Sequence, residues 1–157
     1  MNKRLEQLQH LLQIKEQATQ KAFQELMKIK EQFNHNKLRH DELVIYRQDY
    51  LGQLENLGQE GTQIGRLRNR IDFINHLDTA LIQLNNLLGQ IAKNRTKAEM
   101  LYKEAKASEE GVSKLIERVK QTEMTKLQRL EQKESDEYAQ KQWYSKKTNI
   151  KSNTFGD

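Results

Sequence analysis

The 157 residues contain no proline and no cysteine. Proline normally makes up roughly 5% of a chain. It removes a backbone donor and clashes with the preceding helical turn, so its complete absence favours long, uninterrupted helices. Without cysteine there is no disulfide framework and no thiolate-based metal or redox site, which fits a reducing compartment. Aromatic residues are 6% and hydrophobic residues 35% of the chain, against roughly 45–50% apolar in an ordinary globular domain. A thick core is excluded. No apolar run approaches the ~18 residues of a membrane span. The start Met-Asn-Lys-Arg-Leu is basic like a signal peptide, yet the apolar stretch that must follow is missing. These absences predict a soluble, cytoplasmic chain. Glycine is scarce too. Four of the seven fall at Gly52, Gly58, Gly61 and Gly65, and this window reads as the place where a helix stops and turns back.

The apolar residues that remain are regularly spaced, which separates the chain from disordered sequences of similar polarity. Steps of three and four residues from Leu5 visit Leu8, Leu12, Lys15, Thr19, Ala22, Leu26, Ile29 and Phe33. They continue through Asn36, His40, Leu43, Arg47, Tyr50, Leu54 and Leu57. A second register runs from Leu67 through Ile74, Leu77, Leu81, Leu84, Leu88, Ile91, Ala98, Tyr102, Ala105, Val112 and Ile116 to Val119, with Arg70, Arg95 and Glu109 as its charged breaks. Alternating three-four spacing keeps one stripe facing a partner helix, as in a left-handed coiled coil. Beyond Val119 the pattern must slip by one residue to reach Met124, Leu127 and Leu130. The reading is all-α: a long antiparallel two-helix coiled coil, or helical hairpin. Helix one spans about 2–58, the turn about 59–65 and helix two about 66–147, forming a single coiled-coil hairpin over 1–147, with a flexible tail at 148–157. At 1.5 Å per residue the helices would be roughly 85 and 120 Å long, so helix two projects past the N-terminus or needs another partner there. Two chains pairing in parallel would also satisfy the heptads, but glycines clustered between two heptad blocks favour the hairpin.

Catalytic chemistry is missing. His10, His35, His40 and His76 have no metal-ligand spacing. There is no phosphate-binding glycine loop with its lysine. A hairpin offers no concave pocket in which to assemble a nucleophile and base. The reading is a non-enzyme with no cofactor and no small-molecule substrate.

Four features remain. Folding at residue 61 or 62 places Tyr50 near Phe73. Tyr50 lies on the seam, whereas Tyr46 and Phe73 lie one residue off it. They either pack at the hairpin end or form a partner-binding patch, since a thin coiled coil cannot bury large side chains at its flank. Leu43, Leu77 and Ala80 extend the same stripe. The stretch from Arg129 to Tyr138 is dense in both charges and reads as a solvated helix with i, i+4 pairs such as Glu137 with Lys141, or as a face that recognises a charged ring. Lys141, Lys146, Lys147 and Lys151 interleave with Trp143 and Tyr144; such an end can bind nucleic acid but is more often a solubilising tail. The net charge of +5 chooses poorly among acidic proteins, nucleic acids and membranes. Arg70, Arg95 and Glu109 within the seam serve to specify register.

With Tyr46-Arg47-Gln48-Asp49-Tyr50 late in helix one, Phe73 shortly after the glycine turn, and Arg129-Leu130-Glu131-Gln132-Lys133-Glu134-Ser135-Asp136-Glu137 late in helix two, the chain resembles the FliJ family of the bacterial flagellar type III export apparatus. The resemblance covers about Leu5 to Gln140. It implies a non-catalytic antiparallel coiled coil similar to the stalk of rotary ATPases. Such a stalk inserts into the ring of the hexameric export ATPase, FliI, and contacts the export gate protein, FlhA. It also implies handling of export chaperones and peripheral association with the inner membrane through these partners. Carried onto this chain, the gate-binding positions are Leu43, Tyr46, Tyr50, Phe73, Leu77 and Ala80. The ATPase-facing end would comprise the paired N-terminus and late helix two, with Leu5, Leu8, Arg129, Lys133 and Glu137. A stalk of a virulence type III secretion system would share this architecture, and a nucleic-acid-associated coiled coil acting through the basic tail is the alternative of another class.

Overall fold

A computed structural model describes residues 3–61 and 63–154. It contains two helices, α1 (Lys3–Glu60) and α2 (Ile64–Thr154), with no strand among the described residues. They pack against each other as a helical hairpin. Of the four clustered glycines, only Gly61 acts as a breaker. It follows the last residue of α1 with φ +67°, the left-handed conformation in which glycine commonly ends a helix. Gly52, Gly58 and Gly65 lie within the helices. The turn is therefore tighter than the expected 59–65. Helix α2 also continues past the expected end at Lys147 to Thr154, there being neither proline nor glycine in that stretch to stop it. The last three residues of the expected tail, 155–157, lie outside the described residues.

The fold divides into two compact units. The larger, residues 14–109, holds the hairpin turn. Here α1 and α2 run antiparallel, for as α1 numbers rise their α2 partners fall. Thr19 meets Ala105, Phe23 meets Tyr102, Arg47 meets Asp78 and Tyr50 meets Phe73. The three-four registers form the interface, with every seam position in this unit at least partly covered. Leu26, Ile74, Leu77, Leu84, Leu88, Ile91 and Ala98 are buried. No described side chain is fully enclosed, because a single layer of two helices leaves its flanks open. Polar seam residues are accommodated individually. The Thr19 hydroxyl is shared between the carbonyls of Lys15 at 2.9 Å and Ala105 at 3.1 Å. Arg95 pairs with Glu99 at 3.3 Å and lies over the Phe33 ring. Lys106 lies 3.7 Å from Glu109, whose buried Oε2 has no hydrogen-bond partner.

The smaller unit joins residues 1–13 with 110–157. Leu5, Leu8 and Leu12 on α1 and Val112 and Val119 on α2 are half-buried, and Ile116 is buried. Arg4 lines a shallow cleft with Leu115, Arg118 and Lys126. The seam does not slip to recruit Met124, Leu127 and Leu130. These remain 63%, 56% and 54% exposed, since α1 supplies no turn to cover them. The helix persists there on local terms: it is rich in strong helix formers, Gln132 donates to Asp136 at 3.0 Å, and Gln142 donates to the Tyr138 hydroxyl at 2.8 Å.

Candidate functional site

The gate stripe of the sequence reading lies within the larger unit, and the structure divides it into two classes. Leu43, Tyr50 and Leu77 face the seam. Leu77 is buried and the other two are half-buried. Tyr50 stacks on Phe73 with ring centroids 4.4 Å apart and planes inclined by 38°. The Arg70 guanidinium lies 5.6 Å from the Tyr50 ring centroid, and Arg70 also donates to Gln53. Tyr50 is thus held by α2 from two sides.

Tyr46, Phe73 and Ala80 each precede a seam residue and lie on the flank. Tyr46 and Phe73 are 55% and 44% exposed. Phe73 and Ala80 are seven residues apart, two helical turns, so they share one face of α2. The next residue on that face is Leu87, also exposed. Leu87 and Ala80 line a shallow cavity of about 230 Å³ with Arg39 and Leu43. A second cavity of about 410 Å³ lies among Tyr50, Leu57, Arg66 and Phe73. Arg39 and Tyr46 are again two turns apart, which sets Tyr46 on the matching face of α1. Together these residues form an apolar strip interrupted by arginines. The sequence reading missed Leu87, although its seven-residue spacing from Ala80 was available. It placed Arg47 on the seam but missed its pairing with Asp78, to which Arg47 Nε donates across the helices at 2.5 Å.

Another apolar concavity, about 470 Å³, is lined by Ala18, Ala22, Ile29, Ala98 and Leu101. Alanines at the seam leave this gap because their side chains do not span the interhelical distance. Further along α1, His40 bonds the Asp41 carboxylate at 3.2 Å and Lys37 reaches it at 3.2 Å. The His40 contact first, then Lys37, holds the Asp41 carboxyl below its ordinary value. No group of metal-binding side chains occurs among the described residues.

The residues assigned to an ATPase ring belong to the smaller unit and are not brought together. Leu5 and Leu8 turn inward as seam residues, half-buried. Arg129, Lys133 and Glu137 are exposed, four residues apart along one side of α2. The expected Glu137–Lys141 ion pair does not form. An exposed pair gains too little to hold two long side chains in one geometry.

No described helix is long and apolar enough to cross a membrane. No curated protein and no solved structure matches the chain. The family model of the flagellar FliJ protein matches residues 3–148, nearly all of both helices, so this helical hairpin belongs to the flagellar FliJ family, whose members are non-catalytic proteins of the flagellar export apparatus.

Proposed function

We propose that the chain acts as a stalk in flagellar protein export, engaging the hexameric export ATPase FliI and the export gate protein FlhA, with export-chaperone handling as an associated role. The observation that carries the gate assignment is the exposure of Tyr46 and Phe73 on one flank of the hairpin, beside the buried seam residues Ile74 and Leu77. Large aromatic side chains left half in water are natural anchors for a partner. Tyr50 and Leu77 support them from the seam, Leu43 and Ala80 complete the surface, and Leu87 extends it.

For the ATPase, Arg129, Lys133 and Glu137 offer charges of both signs on an exposed helix, while Leu5 and Leu8 hold the first turns of α1 in place. Surface ion pairs contribute well under about 1 kcal/mol in many cases. A set of such contacts can slip as ring subunits change state. The stalk needs no catalytic group, and its place at the inner membrane follows from its partners.

The test is binding of Tyr46→Ala and Phe73→Ala to the cytoplasmic domain of FlhA, with helicity followed by circular dichroism. Weakened binding at unchanged helicity is expected. Undiminished binding of both variants would remove the gate assignment. Light scattering of the chain mixed with the ATPase should show a complex containing a hexamer, and Arg129→Glu with Lys133→Glu should weaken it.

A further inference from the structure

We propose that the C-terminal part of α2 binds an anionic lipid surface directly, through Trp143, Tyr144 and the lysines around them. The sequence changes character abruptly after Glu137. Between Glu131 and Glu137 there are four carboxylates and one lysine. From Tyr138 to Gly156 there is no aspartate or glutamate, and there are four lysines, Lys141, Lys146, Lys147 and Lys151. Trp143 and Tyr144 are 57% and 63% exposed, as are Lys141, Lys146 and Lys147 to a similar class. The Lys147 ammonium lies 4.7 Å from the Trp143 ring centroid. Tyr144 meets the same ring edge-on, at 5.2 Å and 76°. Trp143, Tyr144 and Lys147 thus share one side of the helix, with Lys141 and Lys146 flanking them and no acid in the segment.

This pairing matches a membrane–water interface. Tryptophan and tyrosine settle at headgroup depth, and lysines beside them can extend along their stems to keep their ammonium groups among the headgroups. Lysines close to anionic headgroups gain from the surface potential. Nucleic acid fits less well. Lys147 lies over one face of Trp143 and Tyr144 meets its edge, which leaves less of that ring for base stacking. The contact is independent of the export partners, and it would fasten the chain to a membrane without them.

Trp143 is the only tryptophan, so its fluorescence reports the event in the intact chain. The chain is titrated with vesicles of phosphatidylglycerol and phosphatidylcholine in equal parts, and with phosphatidylcholine alone. A blue shift and co-sedimentation are expected with the mixed vesicles only, both diminishing as salt is raised. Each lysine contributes about fivefold to such binding. The triple variant Lys141→Gln, Lys146→Gln, Lys147→Gln should therefore bind about a hundredfold more weakly at unchanged helicity. Absence of both signals with mixed vesicles at low salt would overturn the proposal, as would equal binding by the triple variant. A response to duplex DNA without one to the vesicles would also overturn it, and would assign the segment to nucleic acid.

Discussion

Alanine substitution at Leu77 and at Tyr46 should separate packing from recognition within a single stripe. Leu77 is 7% exposed on the seam face of α2. Complete burial of a leucine stabilises by about 1.5–3 kcal/mol, and truncation to alanine in an enclosed core costs about 2.7–5 kcal/mol. The seam is one layer thick and no described side chain is fully enclosed, so the void left by Leu77→Ala opens towards water and its cavity contribution shrinks. The expected loss is about 2 kcal/mol. Tyr46 is 55% exposed and makes no ring contact or hydrogen bond among the described residues, so Tyr46→Ala should cost about 0.5 kcal/mol or less. The difference, about 1.5 kcal/mol, is roughly tenfold in the unfolding constant. Urea unfolding followed by circular dichroism resolves it. Gate binding measured on the same samples should fall in Tyr46→Ala at full stability. Equal destabilisation by the two substitutions would refute the division of the stripe into seam and flank. An unfolding midpoint for Leu77→Ala equal to that of the parent would refute the seam as the source of stability.

The turn yields a paired prediction. Gly61→Ala should lose about 1–2 kcal/mol, because φ +67° is costly for an L side chain, whereas Gly52→Ala, inside α1 with open space around the added methyl, should gain about 0.5–1 kcal/mol; midpoint shifts in the same direction would contradict the turn geometry. The Arg47–Asp78 pair is 37% and 41% exposed, so solvent screening should hold its double-mutant coupling below about 1 kcal/mol and salt should reduce it further; a larger, salt-independent coupling would argue against this. Asp41 should titrate below an ordinary aspartate by NMR and return towards it in His40→Gln. A depressed carboxyl stabilises above its unfolded pKa and loses that contribution as pH falls through the folded value, but this carboxylate faces solvent and the titration itself is the measurable effect.

Much of the fold was legible because a coiled-coil seam is a local pattern. Every residue of the two registers, including Lys15, Thr19, His40 and Arg70, is at least partly covered; three-four periodicity selects a helix face whatever residue occupies it. The adjacency of Tyr50 and Phe73 followed from counting back from the turn. Other features depended on what lies opposite. The glycine window looked like a broad loop, yet Gly52, Gly58 and Gly65 remain helical, since a neighbouring helix outweighs their unfavourable propensity. Met124, Leu127 and Leu130 continue the apolar spacing but lack a facing turn. Leu87 was hidden because one residue off a seam is ambiguous until the partner helix is in place.

The sequence by itself determined the helices, their seam and the glycine window in which they reverse. Each of these rests on backbone restrictions or on a repeat within a few turns: the lack of proline, the three-four spacing and the clustering of glycines between two heptad blocks. Only the tertiary structure decided which apolar residues are consumed by packing and which are left to a partner. Ile116 and Leu127 differ little in chemistry as sequence positions. What separates them is whether a second helix removes them from water, and that depends on the register between segments far apart in the chain.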